Sequence, residues 1–133
     1  MKAGLMRMVA VSVVACFLAA GLAGCSGGKG STKSDATELE RAFGLKAGAA
    51  PSQESTPAGV ASRAVAALRA QDWSRAVSLL NWMRLYASLT VDQARAVQNA
   101  YADAHLRLTE QAAKGNTEAR AALDRAKQEA DRR

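Results

Sequence analysis

Aromatic residues are scarce in this chain of 133 residues, which holds two Trp, two Tyr and two Phe. That scarcity excludes a nucleic-acid face of basic residues interleaved with aromatics, and no nucleic acid is expected as a partner. Cysteine is nearly absent. Its two copies, Cys16 and Cys25, both fall near the start, so the rest of the chain carries no disulfide. There is a single histidine, His105, with no close set of Cys, Asp and Glu at ligand spacing. No metal site is expected. Proline occurs only at Pro51 and Pro57, and the longest periodic stretches follow the second of them. No second long apolar run follows the one at the N-terminus.

What is present begins with three zones: a basic end with Lys2 and Arg7, an apolar run over residues 8–20, and a region of small residues. This is the pattern of an export signal, and its apolar run is short for a permanent membrane span. The zone closes on Leu22-Ala23-Gly24-Cys25. Small residues at Ala23 and Gly24 let an extended backbone enter a peptidase, and the cysteine sulfur offers a thioether attachment. The motif resembles the lipobox of bacterial lipoproteins. The resemblance implies that residues 1–24 are removed and that Cys25 becomes an acylated N-terminus, its palmitate-type lipid being the only attached group. Each buried methylene contributes about 0.8 kcal/mol, so the two or more chains of such an anchor hold stably where one would not. Ser26 follows the cysteine where enteric lipoproteins kept in the inner membrane have Asp. The outer membrane is therefore the expected location in a cell with two membranes.

Loss of residues 1–24 removes Lys2 and Arg7 and lowers the formal net charge from +6 to +4. The remaining positive residues are scattered among acids and apolar positions, as on a solvated helical surface. Residues 25–34 comprise the lipidated cysteine and a Gly/Ser-rich tether, with an end-to-end spread of about 15 Å for a random coil of that length. Residues 35–47 read as a short helix with Leu39, Ala42 and Phe43 on one face and a capping box at Thr37 and Glu40. Alone it is too short to be stable, and docking onto the body is the preferred expectation. Residues 48–57 break periodicity and form a second linker.

A helical domain is expected over 58–133. Its first helix, 58–70, places Val60, Ala64, Ala67 and Leu68 on one stripe, and Gln71-Asp72 makes the turn. The second, 73–87, repeats Trp73, Ala76, Val77, Leu80, Met83 and Ala87. Trp82 and Leu85 project away from that stripe, and Tyr86 widens it. A third, 91–114, opens at a capping box of Thr90 and Gln93 and buries Ala94, Val97, Tyr101, Ala104, Leu108 and Ala112, with Leu106 on its far side. Gly115 stops it. A fourth, 117–131, is capped by Asn116 and buries Ala119, Ala122, Leu123, Ala126 and Ala130, while Arg120, Arg125 and Lys127 face acids one turn on. The fold class is all-α, built from small antiparallel hairpins.

Within the first hairpin, residues 67–80, with the small residue Ala64 before them, resemble the middle of a tetratricopeptide repeat. Ala64 and Ala76 let two helices approach, Asp72 and Trp73 shape the turn, and Leu80 fills the core. Arg63 stands where that repeat has a large apolar residue, Gln71 replaces its turn glycine, and the unit of about 34 residues occurs once. A tetratricopeptide-like hairpin extended by a second hairpin and a four-helix bundle both fit.

No catalytic set emerges: Ser62, Ser74, Ser78 and Ser88 lack a nucleophile elbow, and Asp103 is two residues from His105 and so does not face it on a helix. The chain reads as a non-enzyme. The expected function is a membrane-anchored adaptor that presents Trp82, Leu85, Tyr86 and Leu106 to another envelope protein, a role helical-repeat lipoproteins such as secretion pilotins fill. The competing reading is a passive structural lipoprotein, although the chain ends in Arg132-Arg133 and not in the lysine used for peptidoglycan linkage. Small size and an alanine-rich last helix leave room for self-association.

Overall fold

A computed structural model describes residues 32–132. Five helices follow one another: α1 (Thr32–Ala42), α2 (Pro57–Arg69), α3 (Trp73–Tyr86), α4 (Val91–Ala113) and α5 (Thr117–Asp131). No strand occurs among the described residues. The protein is all-α.

Four of the five helix starts are chemically specified. Thr56 accepts from the Gly59 amide with Pro57 in the first turn, Asp72 accepts from Arg75, and Asn116 from Ala119. Thr90 and Gln93 form the expected reciprocal capping box. The box expected at Thr37 and Glu40 does not form. α1 begins at Thr32, so Thr37 lies inside the helix and its hydroxyl donates back to the Lys33 carbonyl at 2.8 Å. Glu40 turns away to other partners.

The helix ends share one device. At the ends of α1, α2 and α4 a residue with positive φ receives the chain: Gly44 at 62°, Gln71 at 57° and Gly115 at 95°. Each closes a Schellman pair, as in Asp72 N to Ala67 O at 2.9 Å with Gln71 N to Leu68 O at 3.1 Å. Gly115 thus stops α4 as the sequence indicates. Gln71 does the same work with a β-carbon in the left-handed region.

Helices α1 to α4 pack as an antiparallel ring, each on the next, and α1 closes the ring against α4. Gln93 Nε2, at the start of α4, donates to the carbonyl of Ala42 at the end of α1, which sets α1 and α4 antiparallel. α5 lies along the side formed by α3 and α4. The short helix is therefore docked, with Ala36 and Leu39 fully buried and Phe43 and Leu45 packed against the core. Its burial answers its instability in isolation.

The core centres on Leu39, Leu68, Val77, Leu80, Met83, Val97 and Leu108. More than half of the buried apolar residues are alanine, so the helices approach closely and each contact buries little area. On α4 the buried stripe is Ala96, Val97, Ala100, Ala104, Leu108 and Ala112. Ala94 is exposed and Tyr101 only half buried, because α1 covers a side of α4 that a single-partner stripe leaves open. On α5, Ala130 is exposed and Leu123 half buried. The expected pairs on that helix give way to contacts across helices: Arg120 Nε donates to the Ala112 carbonyl at 3.1 Å and Glu129 accepts from the buried Asn81 at 3.0 Å.

Candidate functional site

The segment between α1 and α2 folds back over α2 as a strap. Leu45 N donates to Glu40 O at 2.8 Å, Ser52 N to Ser62 Oγ at 3.2 Å, and Arg63 Nη2 to Glu54 O at 3.3 Å. Arg63, anomalous as a repeat residue, serves here as the clasp of the strap. Gly59 is required where strap and helix touch, since a β-carbon there would meet the Glu54 carbonyl oxygen. Residues 48–57, the expected linker, are held to α2 by the bonds at Ser52 and Glu54.

Strap and helix enclose a cleft of about 530 Å³, within the range of small-ligand and short-segment recesses. Leu45, Ala58, Val65 and Ala66 supply apolar lining, and Lys46, Glu54 and Arg69 supply charge. At one end Arg69 Nη2 lies 2.8 Å from Glu40 Oε1, with the Glu40 side chain 7% exposed and that of Arg69 41%. The buried carboxylate also accepts from Gly48 N at 3.4 Å. Arg69 thus neutralises Glu40, and its side chain stays partly exposed at the edge of the cleft.

A second polar cluster lies between α1 and α4. Burial, then Asp103 and then Glu38 raise the pKa of Asp35 above the ordinary carboxylate value. Asp35 Oδ2 and Asp103 Oδ2 are buried without a hydrogen-bond partner. Arg107 approaches Asp103 Oδ1 at 3.8 Å and Glu110 at 3.7 Å, too long for strong compensation. The two carboxyls oppose each other across the helix junction. No group of three or more metal-ligating side chains occurs among the described residues, and His105 leans on the Tyr101 ring with centroids 5.6 Å apart.

The four residues expected to form one binding surface do not share one. Trp82, 37% exposed, and Tyr86, 60% exposed, sit side by side on α3 with ring centroids 6.2 Å apart. Leu85 is half buried. Leu106 is exposed on α4 opposite that helix's core stripe. In the ring, the free sides of α3 and α4 point away from each other, so Leu106 and Trp82 lie on opposite flanks. Cys25 lies outside the described residues. Among the described residues no helix is long and apolar enough to cross a membrane.

Compared with known proteins, the chain matches no family model, no curated protein and no solved structure. The cleft and the carboxyl pair carry no periodic or motif signal. Glu40, Asp35 and Arg69 are ordinary helix residues in sequence, and only the docking of α1 brings them to their partners.

Proposed function

We propose that this chain is a bacterial lipoprotein, acylated at Cys25, whose helical bundle is an adaptor for another protein of the cell envelope. The Leu22-Ala23-Gly24-Cys25 motif supports the anchor, and Ser26 favours the outer membrane where a cell has two. The tetratricopeptide-like hairpin 67–80 supplies the scaffold. The observation that carries the adaptor reading is the strap-and-α2 cleft, a recess with apolar lining and the partly exposed side chain of Arg69 at one end. Such a recess suits a short extended segment that presents an apolar side chain beside a carboxylate.

Two experiments test this. A photoreactive residue at Ala66, inside the cleft, should crosslink one envelope protein in living cells, while the same probe at Ala121 on the exposed side of α5 should not. Equal adducts at both positions would reject the cleft. Cys25→Ser should leave an unprocessed or mislocalised precursor, and normal fractionation of that variant with membranes would reject the anchor.

A further inference from the structure

Among the described residues, the outer face of α3 carries a pair of exposed aromatic rings, Trp82 and Tyr86. Arg75, Trp82 and Tyr86 follow at helical spacing and form one stripe turned away from the core, with Leu79 at its edge. Leu79 is half buried and packs against the core, and Arg75 is exposed. Helix α3 contains no acidic residue.

Charge follows the same division. From Pro57 to Ala87 the chain carries Arg63, Arg69, Arg75 and Arg84 against the single acid Asp72. Residues 91–132 hold seven acids and seven bases, and residues 32–56 hold four acids and three bases. The positive excess of the described chain thus resides in the α2–α3 hairpin. Arg63 and Arg69 are turned to the strap and to Glu40, which leaves Arg75 and Arg84 on α3. Arg84 stands over the Tyr101 ring at 4.1 Å and is exposed.

We propose that this face of α3 is a second membrane contact, which lays the bundle on a bilayer rich in anionic lipid. Trp and Tyr favour the headgroup region because each joins an apolar ring to a polar edge. Arg75 beside them meets the negative potential of that surface, while Arg84 is turned to the Tyr101 ring of α4 and adds only to the charge of the hairpin. The face is the outward side of one helix, a shape suited to a broad plane, and none of its residues lines the cleft. Chain length permits the contact. This point alone rests on acylation of Cys25: the seven residues from Cys25 to Thr32 reach at most about 25 Å. Lys33 lies beside Leu68 and Gln71 at the α2–α3 turn, and Trp82 is about 14 Å along α3 from Trp73. Anchor and aromatic pair can therefore occupy one leaflet.

The test uses the full processed protein in vesicles of phosphatidylcholine alone or of phosphatidylcholine and phosphatidylglycerol in equal parts, with bromine on the acyl chains as quencher. Trp82 fluorescence should be quenched several-fold more in the anionic vesicles, and molar salt should abolish the difference. Trp82→Phe should remove the quenched component, since Trp73 is buried. Arg75→Glu should weaken quenching with helix content unchanged. Equal quenching in both vesicles, or none in either, overturns the proposal. So does shielding of Trp82 that appears only when a crosslinked protein is present. Flotation with the vesicles reports the anchor separately, so loss of acylation is not mistaken for loss of this contact.

Discussion

At Gln71 the chain holds a left-handed conformation with a side chain that disfavours it. The strain is of the order of 1 kcal/mol for a residue other than glycine. Gln71→Gly should therefore stabilise the protein by about 0.5–1 kcal/mol, part of the gain being lost to the greater freedom of glycine in the unfolded chain. A higher thermal midpoint checks it. Asp35 is the other residue at odds with its place. Its folded pKa lies above the unfolded value, so the stability linked to its proton is fully present below the unfolded pKa. That stability is lost as pH rises through the folded value. At neutral pH the carboxylate opposes the docking of α1. Asp35→Asn should raise the midpoint at neutral pH and flatten this part of the profile, as thermal melts over a pH series will show; a fall at neutral pH would mean that the carboxylate makes a favourable contact.

Between helices, the strap is the element whose fit is most exacting. In an unencumbered helix Gly→Ala is favourable by about 1 kcal/mol. At Gly59 the Glu54 carbonyl occupies the space of the added methyl, so Gly59→Ala should instead destabilise by about 1–3 kcal/mol. Urea titration measures the sign, and faster amide exchange at Ser52 locates the effect. Caps and turns were legible beforehand because they are local: Thr90 with Gln93, Gly115 and Asn116 each act within a few residues. The stripe of α3 was legible for the same reason. What was not legible depends on pairing across the fold. Thr37 and Glu40 match a capping box in sequence, yet the five residues before Thr37 are helical and the box loses its place. Ala96 and Ala100 are buried because α1 arrives from a distance, and Asn81 is buried because Glu129 meets it. The cleft needed the strap, whose clasp Arg63 looked merely out of pattern.

For the molecule as a whole, closure of the ring makes α1 part of a single core. Leu39 is fully buried there. Leu39→Ala should cost about 2–4 kcal/mol and lower the midpoint of the entire domain in one transition. Circular dichroism and intrinsic fluorescence should report the same midpoint. Two separate transitions would mean that α1 is an appendage. The up-and-down order has a practical corollary. α5 runs opposite to α4 and therefore in the same sense as α1, so Thr32 and Arg132 stand at opposite ends of the bundle. A reporter fused after Arg133 would emerge at the pole remote from Thr32. Entry into the bundle at Thr32 and exit from it at Arg132 are thus segregated, and a C-terminal label stands clear of the start of α1.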